Sequence, residues 1–369
     1  MDFTLNEEQT AARDLAEQIF QGSVTPERVK AVEGTDERVD RDLWAALADA
    51  HLLGLCLPEA VGGSGLGMLE LCLVLEQQGR VVAPVSLWAT LVLGALPIAE
   101  WGSAEQQQAW LPGVARGEVL LTAALAGPGT NDPHRPSVEA RPDGSGWRLH
   151  GLSFAVPAAH VADRVLVPAQ TPDGVGVFLV DPRGPGVTLE RAVTTNREIH
   201  PHLLLDGAPG EVLGSLDAGA RAVAWMVDRA LLGLCAIQIG VCEAAVRLAA
   251  EYTSNRVQFG KPLSAFQGVA LHAADGYIQT EAIRVTTWQA AWRLDAGWEA
   301  TSDVLVAKWW ASEGGQRVVH IAQHLHGGMG ADVDYPVHRY FLWGKQIEDT
   351  LGGASAQLAR LGQTLAGAA

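Results

Sequence analysis

The sequence predicts an α+β protein, mostly α, in which two helical regions flank one small β-domain. Three observations carry this prediction. Apolar residues recur at helical spacing from about residue 4 to 117. Short β-prone runs separated by Pro- and Gly-rich turns fill about 120 to 214. Long helical patterns then return from about 216 to the end of the sequence. Helices, then strands, then helices divide the chain into expected domains at 1–119, 120–215 and 216–369.

Each element follows from local chemistry. Asn6 followed by Glu7 and Glu8 is a helix start, with acids at the positive end of the dipole. Leu43, Leu47 and Leu52 mark a further helical stretch, and Leu69, Leu73 and Leu75 another, with Glu76 and Gln77 expected on its opposite face. In the middle region the runs 147–149, 164–167, 175–179 and 202–205 read as strands. Turns at Pro142-Asp143-Gly144 and Pro172-Asp173-Gly174 separate them. Ile237, Val241, Ala245 and Leu248 form one face of a helix reaching Tyr252. A second long helix is expected from 266 towards 296 and a third over 304–324. The run Gly62–Gly67 lacks the spacing and the preceding strand of a dinucleotide fingerprint, and is read as a loop between helices.

Composition narrows the function. The 369 residues are 48% hydrophobic and 18% charged, enough apolar content for a sizeable core. A net charge of −16 argues against nucleic acid, which needs clustered Lys and Arg. The start is acidic and amphipathic, unlike a signal or transit peptide, and apolar runs are broken before they could span a bilayer. Cys56, Cys72, Cys235 and Cys242 lie in apolar contexts without CxxC spacing, as expected of free thiols in a reducing cytoplasm. His200-Pro201-His202 lacks a third metal ligand at useful spacing and is read as a surface loop. Trp288, Trp292, Trp309 and Trp310 are read as packing residues of the core or of a subunit interface. No Gly-x-Ser-x-Gly elbow is present.

Two segments carry chemistry. Arg256 and Lys261 follow an apolar helix, where a guanidinium fork suits a pyrophosphate, and Phe259 offers a flat face for an adenine or a packing partner. Gly327-Gly328 lets backbone N–H groups approach a phosphate or sugar. The plainer alternatives are an Arg balancing a helix C-terminus and a Gly pair ending a helix. His324 and His326 share one turn, as a cofactor contact or a helix-end hydrogen bond.

Arg256-Val257-Gln258-Phe259-Gly260-Lys261-Pro262-Leu263, then Phe266-Gln267, resembles the R-x-x-F-G-x-x-[ILV]…F-Q signature of acyl-CoA dehydrogenases. His326-Gly327-Gly328-Met329-Gly330 with Tyr335-Pro336 resembles that family's Q-x-x-G-G-x-G…Y-P segment. Leu57-Pro58-Glu59 with Gly62-Gly63-Ser64-Gly65 resembles its L-P-E-x-x-G-G-x-G loop. The resemblance spans nearly the whole chain in the family's order. It implies an N-terminal helical domain, a middle β-domain, a C-terminal four-helix bundle used in tetramer formation, FAD, an acyl-CoA substrate and electron exit through an electron-transfer flavoprotein. It also implies that Arg256, Phe259, Gln267, His324, Gly327 and Gly328 touch an FAD held by a neighbouring subunit. His324 stands where the family has Gln.

Other positions depart from the family. Its base is usually a Glu shortly after Y-P, and here that position is Leu351 or Gly352. Some relatives carry the base on the helix before R-x-x-F, and here that position is Ala230. None of these can take a proton. The nearby carboxylates Asp228, Glu348 and Asp349 are weak candidates for a relocated base, Glu348 foremost. The T-E-P-x-x-G-S-D-like loop stands as Ala126–Asp132 without its Glu. The W-I-[ST] segment that lines the flavin ring stands as Ala155-Val156-Pro157. The resemblance therefore implies the non-catalytic subunit of a heterotetrameric enzyme, like those of actinobacterial sterol side-chain degradation with half the usual FADs. Its partner would be a related subunit carrying the catalytic Glu. The alternatives are a homotetrameric dehydrogenase with a relocated base and a flavin-free scaffold on the same fold.

Overall fold

The structure is a computed structural model and describes residues 3–129 and 132–367. Its element order is helical, then β, then helical, as the patterning predicts. The first helices are α1 (Glu7–Ser23), α2 (Pro26–Glu33), α3 (Arg41–Asp49), α4 (Met68–Val81), α5 (Leu96–Trp101) and α6 (Ala104–Ala115). A π-helical segment, Trp88–Ala95, leads into α5, and every residue of it is buried. The Asn6 start closes as a full capping box, with Asn6 and Gln9 exchanging side-chain-to-backbone bonds.

The strands are β1 (Leu121–Ala123), β2 (Val138–Asp143), β3 (Gly146–Ser153), β4 (Arg164–Thr171), β5 (Gly174–Val180), β6 (Val187–Glu190) and β7 (His202–Val212). They form one sheet in the order β1-β4-β2-β3-β7-β5, and β5 pairs back onto β4. The second pairing closes β4, β2, β3, β7 and β5 into a ring and leaves that ring no free edge. Phe178, Leu149, Val167 and Leu203, all fully buried, fill its inside. The strands β1, β2 and β6 have no counterpart among the runs read from the sequence.

The remaining helices are α7 (Gly219–Asn255), α8 (Gln267–Asp295), α9 (Thr301–His326), α10 (Val337–Asp349) and α11 (Ala354–Gly367). A two-stranded hairpin, β8 (Val257–Gln258) and β9 (Lys261–Pro262), lies between α7 and α8. By contacts the described chain forms two compact units. One holds residues 30–71 and 84–230, and the other holds 1–29, 72–83 and 231–369.

In the second unit α9 packs on α8, α10 and α11. Ala245 and Ala249 of α7 join Ala322, Leu325 and Val337 in one cluster. α4 and α7 cross at backbone contact, because a Cβ on Gly79 or Gly240 would overlap the opposite helix's backbone. That crossing corrects the expectation for Glu76 and Gln77. Both are buried, at 2% and 1% exposure, because α4 is enclosed on all sides. Arg80 and Arg284 hold the Glu76 carboxylate, and both also pair with Glu243.

The stretch 216–255 is long and apolar enough to cross a membrane by composition, contrary to the expectation that no run is. Within the fold 78% of its most apolar window is buried, as for a core helix. His200 is also buried, not in a surface loop: its Nε2 lies 3.3 Å from Glu198 and it is 8% exposed. Among the described residues all four cysteines are free thiols, and three are buried.

Candidate cofactor-contact site

α7 ends at Asn255, and the Arg256 N–H still donates to Tyr252 O at 2.9 Å. Arg256 O then accepts from Leu263 N–H at 2.9 Å, which folds 257–262 back on itself. Val257 pairs with Pro262 and Gln258 with Lys261, so the hairpin turns on Phe259 and Gly260 alone. Both have positive φ, 52° and 77°. Two-residue hairpin loops take this conformation, but Asn-Gly or Gly-Gly adopts it without the Cβ strain a Phe suffers. Phe259 is nonetheless 92% exposed. Its only ring neighbour among the described residues is Phe266, edge-on at 6.3 Å, and Lys261 Nζ lies 4.2 Å over that second ring.

Helix ends bring the other candidates to the same side of the bundle. Gln267 is exposed at the first position of α8. His324, on the last turn of α9, sits 5.8 Å from His272 of α8. Tyr252 stacks on His326 at 4.7 Å, and Tyr335 meets both rings. This aromatic trio ties the stem of Arg256 to the stem of Gly327-Gly328, a link that sequence spacing does not reveal. Gly327 caps α9 at φ 60°, ψ −135°. A Cβ on Gly327 or Gly328 would meet nothing within 4 Å. Arg256, Phe259, Gln267, His324, Gly327 and Gly328 are all exposed, on an open surface carrying the cations Arg256 and Lys261. An open surface of this kind suits a ligand presented by another chain, whereas a resident cofactor is mostly enclosed.

The base positions look different. Leu351 and Gly352 form the turn between α10 and α11 with φ of 59° and 99°. The Leu351 carbonyl accepts from Gln357 and Arg360, each at 3.1 Å. The Glu348 carboxylate is ion-paired with Lys345, and Asp349 is exposed. Asp228 is half-buried on α7. Ala230 is fully buried, and its carbonyl accepts the Trp88 indole N–H at 3.0 Å.

The segment 154–157, where the resemblance puts the flavin wall, keeps its backbone donors within the chain. Phe154 N–H donates to Ala126 O at 2.8 Å, Ala155 N–H to His202 Nδ1 at 3.1 Å, and Val156 N–H to Pro201 O at 2.9 Å. Pro157 has no N–H. Every backbone donor of 154–157 is consumed within the chain, so these residues do not fit the polar edge of an isoalloxazine. Of the Ala126–Asp132 loop, Thr130 and Asn131 lie outside the described residues.

Helices, a closed β-ring and a helical bundle follow in that order, and the exposed bundle end carries Arg256, Lys261 and the Gly327-Gly328 pair. Residues 6–118 match the model of the acyl-CoA dehydrogenase N-terminal domain, and residues 217–363 that of its C-terminal domain. Acyl-CoA dehydrogenase FadE27 of Mycobacterium tuberculosis is 40% identical over 99% of each chain. Among solved structures, a chain of a Tcur3481-Tcur3483 steroid ACAD variant is 51% identical with a TM-score of 0.94, covering 99% of each chain. A chain of the ChsE4-ChsE5 complex from Mycobacterium tuberculosis is 41% identical with a TM-score of 0.94, again over 99% of each. This chain belongs to the acyl-CoA dehydrogenase family, whose cofactor is FAD.

Proposed function

We propose that this chain is the non-catalytic subunit of a hetero-oligomeric acyl-CoA dehydrogenase, completing the FAD site of a related partner that carries the catalytic Glu. The three-domain division at 1–119, 120–215 and 216–369 belongs to the same proposal. The observation that carries it is an asymmetry. Phe259, Arg256 and Gly327-Gly328 are exposed, while the N–H groups of 154–156 are spent on the chain's own His202, Ala126 and Pro201. The two similar structures named above are complexes of two differently named chains, one of them called a steroid enzyme, which supports a paired assembly and a steroid-bearing acyl-CoA.

The chemistry needs a carboxylate of raised pKa to take the acyl α proton, and FAD supplies the hydride acceptor at N5. On this proposal the partner provides that carboxylate. This chain contributes the Arg256 guanidinium at the pyrophosphate, the Phe259 face at the adenine, and hydrogen bonds from Gln267 and His324. Gly327 and Gly328 let the cofactor's sugar and phosphates approach the backbone. Electrons would leave through an electron-transfer flavoprotein, and the free thiols support a cytoplasmic setting.

Purification alone and with a related longer chain tests the proposal. The chain alone should be colourless and inactive. The complex should be yellow with one FAD per two chains. A yellow, active chain on its own would overturn it; Glu348→Gln abolishing that activity would then assign the base. If no related chain brings FAD into a complex, the scaffold alternative replaces it.

A further inference from the structure

Within the unit holding 30–71 and 84–230, three loops meet: 34–40 between α2 and α3, 154–163 between β3 and β4, and 191–201 between β6 and β7. Side-chain donors hook them together. Arg38 donates to Arg197 O at 2.8 Å, Arg191 donates to Asp36 O at 3.1 Å, and Arg197 pairs with Glu33 at 3.0 Å. His160 Nε2 lies 2.8 Å from Glu37 O. A carbonyl only accepts, so Nε2 carries the ring proton and Nδ1 a lone pair. That Nδ1 is buried and finds no hydrogen-bond partner among the described residues. The same loops hold strained backbone. Arg38, Ala155, Ala158 and Arg197 lie at φ of 53°, 46°, 53° and 69°. Non-glycine residues keep such a conformation only where the surrounding contacts impose it, and they cluster at switch regions.

A second proton on His160 is unwelcome while the loops stay together. Burial, the largest effect, holds the ring below its ordinary 6.5; the bond to Glu37 O and the Glu37 charge oppose this, and His200 and Arg191 add to it. Glu37 is already paired with Arg41 at 2.9 Å and Glu198 with His200 at 3.3 Å, so both carboxylates have partners. Protonated Nδ1 would be a buried, charged donor without an acceptor. Once the loops part, the ring regains its ordinary value. The closed contact therefore loses stability as pH falls below 6.5. Loop 191–201 ends at Pro201, whose carbonyl accepts the Val156 N–H at 2.9 Å. We propose that neutral His160 latches loop 34–40 against the other two loops, and that its protonation parts them and frees the Val156 N–H from Pro201. Opening thereby returns a backbone donor to the segment 154–157. The latch is a property of this chain alone and does not depend on the subunit reading above.

Hydrogen exchange of the full-length chain, corrected for the intrinsic rate, is read by mass spectrometry at about pH 7.5 and about pH 5.5, above the ordinary carboxylate range. On acidification wild type should lose protection over 34–40, over 191–201 and at Val156, and keep it in β4 and β5. His160→Gln retains a neutral donor for Glu37 O and takes no proton, so it should stay protected at both values. His160→Ala, which has no donor, should be less protected than wild type already at the higher value. His200→Gln should still open with acid. Ala155 is no reporter, because its acceptor, His202 Nδ1, is itself titratable. The latch is overturned if wild-type protection is the same at both values, or if His160→Gln opens as wild type does. It is overturned too if acid opening is lost in His200→Gln, which would make His200 the sensor. Loops that open while Val156 stays protected remove the link to 154–157, and loss of protection in β4 and β5 as well means global unfolding in place of a latch.

Discussion

Lys308 shows how one residue can anchor a turn and set a pH response. It is fully buried, and its ammonium donates to Ser312 Oγ at 2.8 Å, Ile347 O at 2.9 Å and Glu348 O at 3.1 Å. These carbonyls end α10, where the helix dipole is negative. Burial pushes the amine down from 10.5 to about 8, even with Cys235, Asp349 and Glu348 nearby favouring the charge. Between those two values the unfolded chain holds the proton more often than the folded one. Stability from this group therefore rises as pH rises from about 8 towards 10.5, by at most about 3 kcal/mol. Melting temperatures measured from pH 7 to 10.5 should contain this upward component in wild type and lose it in Lys308→Met. At the other end of the chain, Asn6→Ala removes the capping box of α1 and should cost about 1 kcal/mol in denaturant unfolding.

Elements decide what the exposed groups can do. The β8–β9 hairpin holds a Phe in a left-handed turn position and leaves it uncovered, so the chain's own stability gains nothing from that side chain. Phe259→Gly should therefore leave the isolated chain as stable as wild type or about 1 kcal/mol more stable. On the proposed function the same change should lower FAD retention in the complex, read by absorbance after dialysis. Arg256→Ala should also lower retention while shifting the isolated chain by no more than about 0.5 kcal/mol, as for an exposed side chain. A Phe259→Gly complex that keeps its full flavin would remove the hairpin from the cofactor site.

Across the molecule, the helical unit is locked by an ion network spread over three helices. Arg284 of α8 and Arg80 of α4 both hold Glu76 and Glu243, and Glu76 is almost wholly enclosed, its side chain 3% exposed. Removing Arg284 leaves the buried Glu76 with Arg80 alone, so Arg284→Met should destabilise by about 1–3 kcal/mol, with an early melt and no dependence on flavin. The expected assembly follows from the same distribution of groups. On the proposed function, flavin content should be a property of the pair and not of this chain alone.

The order of helices, strands and helices, the long helices α7, α8 and α9, and the family were all legible in the amino-acid sequence, because they depend on periodicity and on motifs that are contiguous along the chain. That Glu76 lies inside was not legible, because α4 acquires its second buried face only by crossing α7. The spending of Ala155 N–H on His202, the meeting of Tyr252, His326 and Tyr335, and the hydrogen bond from Trp88 to Ala230 O join residues 47, 74–83 and 142 positions apart. Such contacts leave no local pattern. They belong to the folded chain, because hydrogen-bond satisfaction and volume are settled by whichever groups the fold brings together.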